Sequence, residues 1–499
     1  MKNFRALTAL TLCVLLFFAA ACSDKAETAQ TAVLNDEPDI KETTAESTGV
    51  SDSLPPDLDF GGETVTFYYR EEVSDEFYAK TENGDIVNDA LYKSMLNVEE
   101  RLNVNIDVVL RKGHYIESRQ EYMDNITKSV VAGEDLYDFV DLMIGNATLM
   151  MQNGIFANLL NNKYIDLSKP WYIPDMENTV GLDNRLYFIS GDASLGYLKC
   201  AFCCYYNKQM ADNYGIEGLE KTVEDGKWTL DKLMELSQTV SEDLNSDGKY
   251  NLDDRLGFVI HDSNHPKAFI SSCGINLYEK EDGEWKVDLL NERSAAVVDK
   301  IYQLKKETDG VFFLKSTNAF SDHAEYDSFT SKFIGGEILV MSAELDDSVS
   351  QLRDMDDPFG ILPFPKYNEE QPSYHTSSRN TQNSFSMPIT CSDPDMAGAV
   401  MEALSCDKYN RVLPEYFEIA LKTKYIRDSE SAKMYDLIRS TMVLDFGYTY
   451  ANAIGSPDWL VLSCFDKQGQ FASSAEKNQK KLDQLLEKYI TSIKESCPE

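Results

Sequence analysis

Strand-like and helix-like hydrophobic periods alternate from Gly62 onward, and this alternation narrows the possible folds more than any other feature of the chain. Thr64 to Tyr69 is rich in β-branched and aromatic residues, as strands are. Val87, Leu91, Met95, Val98 and Leu102 then recur at helical spacing. Val104 to Leu110 predicts a second strand, and Ile116, Tyr122, Ile126 and Val130 predict a second helix that ends at Gly133. Asp138 to Ile144 is a near-continuous apolar run, which predicts a third strand buried on both faces. Strands and helices in this order predict a parallel sheet covered by helices. In such sheets ligands collect beyond the carboxyl ends of the strands. Those ends are Arg70-Glu71 and Gly145-Asn146, so Arg70, Glu71 and Asn146 are the first candidate binding residues.

Further along, Tyr187 to Ser190 and Lys199 to Tyr206 read as strands joined through Gly191-Asp192-Ala193-Ser194. Asp192 in that connection is a further polar candidate. Trp228 and Thr229 open a helix: Thr229 suits the N-cap, Asp231 the first turn, and Leu230, Leu233, Leu236 and Val240 form its apolar stripe. A turn-rich hairpin around Lys280 to Val287 precedes a helix over Ser294 to Lys305. Gly335-Gly336 leads into a strand over Glu337 to Met341, with Glu344 just beyond it. Phe359 to Pro365 is a strand closed by prolines, and the chain from Asp395 is mostly helical.

The first 59 residues follow other rules. Lys2 and Arg5 precede an apolar run from Ala6 to Phe18, too short to span a bilayer, and Ala19-Ala20-Ala21 leads directly to Cys22. This pattern predicts a lipoprotein signal cleaved before Cys22, which then carries the lipid. Ser23 to Asp59 contains no aromatic residue and is rich in Asp, Glu, Thr, Ser and Ala, so it cannot bury enough apolar surface to order itself. As a flexible tether it would reach on the order of 30 Å. The whole chain carries a formal charge of −37, which repels nucleic acid and anionic lipid and excludes nucleic-acid partners.

Ten cysteines are spread irregularly, unlike a disulfide framework. Cys200, Cys203 and Cys204 include a CxxC spacing, but no second CxxC or histidine pair lies near enough in sequence to complete a zinc site, and their alternation reads as strand core. The sharpest chemical motif is Asp243 to Asp254. Oxygen side chains stand at loop positions 1, 3 and 5, glycine at 6 and a carboxylate at 12. Six to eight oxygens for Ca²⁺ would come from Asp243, Asn245, Asp247, the Lys249 carbonyl, Asn251 and Asp254. Aspartate at position 12 reaches less far than the usual glutamate. A helix precedes the loop and a strand, Gly257 to Ile260, follows it, so a structural Ca²⁺ is expected rather than a sensor.

The order of several loose motifs resembles that of family 1 extracellular solute-binding proteins, the receptor components of ABC importers. The resemblance rests on the cysteine box at Cys22, Tyr205-Tyr206-Asn207-Lys208, Gly226-Lys227-Trp228-Thr229 and the loop at Asp243. Phe329, Phe333, Gly336 and Met341, then Phe359-Gly360-Ile361-Leu362-Pro363 and Leu421-Lys422-Thr423-Lys424-Tyr425, add to it. It implies an α/β fold of two lobes, periplasmic-binding-protein-like, with a hinge between them. On that basis residues 1–21 are the signal peptide and 22–59 the lipidated tether. Residues 60–203 open lobe 1, 204–378 open lobe 2, 379–432 return to lobe 1, and 433–499 are a helical end of lobe 2. The implied partners are permease transmembrane subunits and a small solute, with a monomer held by its lipid at the extracellular face of the cytoplasmic membrane. Members of similar length mostly serve oligosaccharide uptake, which makes a glycan the expected cargo; peptides and other solutes would suit the same fold.

Sugars present flat apolar faces and hydroxyl edges, so their sites combine aromatic platforms with polar partners. Trp171, Tyr172, Trp228 and Trp459 are the candidate platforms, and Arg70, Glu71, Asn146, Asp192 and Glu344 the candidate polar partners. Trp285, in a polar hairpin, is the least suited. A lipid-anchored glycoside hydrolase is the rival class, but 84 acidic residues make some suitably spaced carboxylate pair unavoidable. No GxSxG, HExxH or Walker motif is present. His261 and His265 lie four apart in a turn-like segment and need not share a face. No covalent chemistry is expected.

Overall fold

Two sheets organise the chain, and the computed structural model describes residues 49–261, 264–314, 323–422 and 429–496. The first sheet contains β1 (Glu63–Arg70), β2 (Val104–Arg111) and β3 (Phe139–Met143), with β1 central and parallel to both neighbours. The second contains β4 (Phe202–Asn207), β5 (Leu256–His261), β8 (Val311–Leu314), β9 (Ile338–Glu344) and β10 (Phe359–Leu362), in the order β10-β4-β9-β5-β8. A hairpin of β6 (Tyr278–Glu281) and β7 (Glu284–Val287) stands apart. The last strand, β11 (Asn383–Ser386), returns to the first sheet and runs antiparallel to β3. Together these make a two-lobed α/β fold, one lobe around each sheet.

The local reasons follow the sequence. Helix α1 (Ile86–Leu102) starts where the Asp85 carboxylate accepts the backbone N–H groups of Val87 and Asn88, and it stops at Asn103 in the left-handed region. Its buried face, Leu91, Met95, Val98 and Leu102, is the predicted stripe. Helix α2 (Ile116–Val131) covers the sheet through Tyr122, whose hydroxyl donates to the Tyr68 and Asp141 carbonyls. Helix α3 (Leu230–Val240) is capped by Thr229 as expected. Helices α4 (Glu292–Glu307), α5 (Pro394–Lys422), α6 (Ser429–Ser440), α7 (Pro457–Cys464) and α8 (Phe471–Ser496) complete the long elements.

Three expectations need correction. Tyr187 to Ser190 is not a ladder strand: Ile189 makes a single bridge to Phe385, and Gly196–Lys199 is a short helix, so β4 begins only at Phe202. Residues 50–59, placed in the tether by composition, are docked on the first lobe. Asp52 holds Arg101 through two bonds of 2.5 and 2.8 Å, Leu54 is buried, and the Val50 carbonyl accepts from Asn410. A few anchored contacts order this stretch although its mean composition is polar. The C-terminal helices are not confined to the second lobe, because Tyr489 of α8 donates to the Thr148 carbonyl of the first, at 2.5 Å. The signal segment, Cys22 and residues 23–48 lie outside the described residues. Among the described residues no helix is long and apolar enough to cross a membrane.

One buried carboxyl links packing to pH. Glu402 on α5 is fully buried and accepts from the Tyr172 hydroxyl at 2.6 Å and the Asp166 backbone N–H at 3.3 Å. Burial pushes its carboxyl up to about 7 against those bonds. The folded chain therefore keeps a proton that the unfolded chain has released above its ordinary carboxyl range. Stability from this group is fully present in acid and is lost as pH rises through about 7. Glu402→Gln keeps an acceptor for Tyr172 and removes the titration. Between about pH 5 and about pH 8 the wild type should lose on the order of 2 kcal/mol more stability than this variant. Urea unfolding at both pH values measures the difference, and equal losses would refute the assignment.

Candidate functional site

The chain crosses between the sheets twice, and the two crossings run side by side. Ala201 bridges Ser378, the Phe202 N–H donates to the Ser377 carbonyl at 3.0 Å, and the Arg379 N–H donates to the Cys200 carbonyl at 3.0 Å. Around these crossings the carboxyl ends of β1 and β2 meet those of β5 and β9. Such ends carry side chains that no longer belong to a ladder and are available to a ligand.

From the first lobe comes Arg70, the last residue of β1. Its Nε and Nη2 donate to the Asp141 carboxylate at 2.6 and 3.1 Å, deep in the sheet. Burial works against its charge, and Asp141 more than offsets that, so its pKa is raised. Arg70 Nη1 lies 3.3 Å from His114 Nδ1 and must donate to it. Burial and Arg70 together push His114 down to about 4, which keeps this imidazole neutral. Glu76 stands near by, pushed up to about 7 by burial with Lys199 and Arg70 pulling the other way.

From the second lobe comes Glu344, at the end of β9. Arg379 Nη2 donates to it at 3.2 Å, and His265 Nε2 is 4.0 Å from its other oxygen. Burial pushes the Glu344 carboxyl up to about 7, and burial holds His265 down at about 3. The His261 and His265 rings are 6.0 Å apart. At one side Lys267 and Asp458 form a buried pair at 2.9 Å, with the Lys267 ammonium 4.5 Å from the Trp459 ring centre. Trp459 is 51% exposed, the only tryptophan among the large exposed apolar side chains of the described residues. Tyr448 accepts the Asn380 N–H at 3.1 Å. The Gly145 N–H reaches the Asn380 carbonyl at 3.3 Å, and a Cβ at Gly145 would meet the end of the Asn452 side chain at 2.8 Å.

Of the nine sequence candidates, Arg70, Glu344 and Trp459 belong to this junction, and Asn146 is buried in the short helix that follows β3. Glu71 is exposed at the start of the 3-10 turn after β1. The others are corrected. Trp171 is fully buried and Tyr172 is spent on Glu402, so neither offers a face to a solute in this conformation. Trp228 is fully buried with its indole N–H on the Pro363 carbonyl at 2.8 Å. Asp192 is consumed by the Tyr197 hydroxyl at 2.6 Å and by Arg439 at 2.7 Å. Arg379, His114, Lys267 and Tyr448 were missed. Nothing local marks them, because their neighbours here come from distant parts of the chain.

Asp243 to Asp254 folds as a chain of side-chain-capped turns. Asp243 accepts the Asp247 and Gly248 N–H groups, Asn245 accepts Asp247, and Asp247 accepts Lys249. Asp254 is buried and closes the loop by accepting Leu244 and Asn251 at 3.0 Å each. Gly248 has φ +77°, the left-handed conformation that glycine adopts freely. The donor set is all oxygen, the ligand type that hard cations take, although in this structure its side-chain oxygens accept backbone N–H groups. Among the described residues no three His, Cys, Asp or Glu side chains converge as a metal site. Cys203 and Cys204 are buried core thiols, and the cysteines of the described residues are free.

No family model matches the sequence, and no curated protein matches it. Solved structures do share its fold. A galacto-N-biose/lacto-N-biose I-binding protein of an ABC transporter from Bifidobacterium longum aligns over 86% of this chain and 98% of its own. The TM-score is 0.53 at 12% identity. The maltose/maltodextrin-binding domain from Bdellovibrio bacteriovorus, bound to maltotriose, aligns over 85% and 100%, with TM-score 0.51 and 14% identity. An ABC substrate-binding protein from Listeria monocytogenes in complex with cycloalternan gives 85% and 99%, TM-score 0.51 and 11% identity. At such identities the likeness is one of fold: the two-lobed architecture of periplasmic binding proteins.

Proposed function

We propose that this chain is the solute-binding component of an ABC importer, anchored through a lipid on Cys22 outside the cytoplasmic membrane, and that its cargo is an oligosaccharide. One observation carries the reading: strand ends from both lobes meet at two crossings, with charged and hydroxyl side chains and a half-exposed Trp459 beside them. A ligand that touches both lobes favours the closed arrangement by its extra contacts there. Trp459 would stack on the flat face of a sugar ring, while Arg379 and Glu344 would serve hydroxyls. The sugar ligands of the three similar proteins support the choice of cargo. Capture and release need no bond broken, so the chain acts as a receptor rather than an enzyme.

Calorimetric titration of the full chain against a panel of oligosaccharides tests this. One glycan class should bind and be recovered at its original length; shortened product would instead favour a hydrolase. Trp459→Ala should weaken that binding by about 2 kcal/mol, roughly thirtyfold in Kd, with little change in stability because the ring is half open to solvent. Unchanged affinity would remove Trp459 from the site.

The Asp243 to Asp254 loop is proposed to hold a structural Ca²⁺ through Asp243, Asn245, Asp247, the Lys249 carbonyl, Asn251 and Asp254. Bound to the folded state alone, the ion would stabilise by about 2.7 kcal/mol at a hundredfold excess over Kd. Melting should therefore rise with Ca²⁺ and fall with a chelator, and Asp247→Ala should abolish the response.

A further inference from the structure

A cavity of about 530 Å³ opens beside the crossings, with Lys199 in its lining. That volume falls in the range of small-molecule pockets. Its wall on the first lobe comes from the turn after β1 and the start of α1, its wall on the second from the residues after β9, and Tyr416 of α5 closes one side. We propose that this cavity binds an amine-bearing sugar unit, which makes the cargo an oligosaccharide of amino sugars; the inference rests on the oligosaccharide reading above.

The charges argue for a cation. Four carboxylates line the cavity, Asp75, Asp85, Asp346 and Asp354, against the two cations Lys199 and Arg353. Lys199 already shows how the place treats an ammonium: its Nζ lies between Asp75 of the first lobe at 3.4 Å and Asp346 of the second at 3.9 Å. One lysine is thus shared by two acids. Asp85 spends a single oxygen, Oδ1, on the N–H groups that start α1. Asp354 is exposed in the lining and joins no ion pair among the described residues. A protonated amine entering here would meet carboxylate oxygens with remaining lone pairs, inside a chain whose formal charge of −37 already concentrates cations around it.

The rest of the lining argues for a sugar ring rather than a bare ammonium. Leu91, Leu195 and Val349 give the cavity an apolar floor, and Tyr78 and Tyr416 add two aromatic side chains with hydroxyls. The Tyr416 hydroxyl donates to Asp346 Oδ1 at 3.2 Å, which fixes one oxygen of that carboxylate in the lining. An apolar face beside convergent acceptors matches the apolar face and amine edge of an amino sugar. Because both lobes line the cavity, occupancy would also favour closure.

The test compares three probes on the full chain: a β-1,4-linked glucosamine trisaccharide at a pH where its amines are protonated, the same trisaccharide fully N-acetylated, and spermidine. The glucosamine trisaccharide should bind about tenfold tighter than the acetylated one, the worth of one charge-assisted hydrogen bond. Asp354→Asn should shrink that preference several-fold, Asp354→Lys should erase it, and added salt should weaken it. Trp459→Ala should weaken both sugars equally and leave the preference intact. Equal or tighter binding of the acetylated sugar overturns the amine assignment while leaving the oligosaccharide reading standing. Spermidine binding without either sugar overturns the inference through that reading. A preference untouched by the Asp354 substitutions overturns the placement in this cavity.

Discussion

Replacing Asp141 by alanine is expected to lower the unfolding free energy by about 3–5 kcal/mol, the usual cost of stranding a buried charge. Arg70 and Asp141 are both essentially without solvent exposure, and the guanidinium makes its two best bonds to this one carboxylate. Without Asp141 the only other side-chain hydrogen-bond partner of Arg70 among the described residues is His114, which is neutral and can accept a single bond. The pair as a whole contributes far less than its rupture costs, since two charges had to leave water to form it. The double variant Arg70→Met with Asp141→Leu should therefore recover most of the loss. Urea denaturation of the single and double variants measures both numbers. A single variant within about 1 kcal/mol of wild type would mean that water reaches Arg70 after all.

The second large effect is expected at Lys267. Its ammonium lies 2.9 Å from Asp458, both side chains are buried, and the Trp459 and Tyr448 rings lie 4.5 and 5.6 Å away. Lys267→Met leaves the Asp458 carboxylate without its cation, with Oδ1 already lacking a hydrogen-bond partner. A loss of about 3–5 kcal/mol follows for the same reason as at Asp141. This pair also joins the segment after β5 to α7, so its rupture should loosen Trp459 and weaken solute binding beyond the stability loss. Lys267→Met with Asp458→Leu should regain stability and restore less of the affinity. Titration calorimetry beside denaturation separates the two effects, and recovery of both together would mean that the pair does not position Trp459.

Much of the fold was legible because its signals are local. The stripe from Val87 to Leu102, the Thr229 cap and the doubly buried run at β3 each depend on residues within a few turns. Parallel pairing of β1, β2 and β3 then follows from the alternation of strand and helix. The same logic reached the carboxyl ends of those strands, and so Arg70. It failed over Tyr187 to Ser190, where a buried apolar run meets β11 at a single bridge and so lacks the ladder that defines a strand. It failed again over residues 50–59, where the pairing of Asp52 with Arg101 orders a stretch whose composition reads as loose.

The candidate site was legible only in part. Trp171, Trp228 and Trp459 are the same residue type, and no neighbour in sequence separates a platform from a core ring. Trp171 and Trp228 are sealed by segments far away in the chain, while Trp459 keeps half its surface open. Asp192 looked available until Arg439, from α6, was brought against it. Arg379 and His114 carry no motif, yet the second crossing sets one against Glu344 and the end of β2 brings the other to Arg70.

By itself, then, the sequence determined the α/β class, the order of the first strands and helices, and the edge of the first sheet where a ligand would gather. Those features arise from hydrophobic period and capping, interactions between residues a few positions apart. Only the tertiary structure decided which polar groups remain unspent, which aromatic ring stays open and where a cavity lies between the lobes. Exposure and partnership depend on residues hundreds of positions away, and packing at liquid-excluding density leaves no local trace of which side chains it will seal.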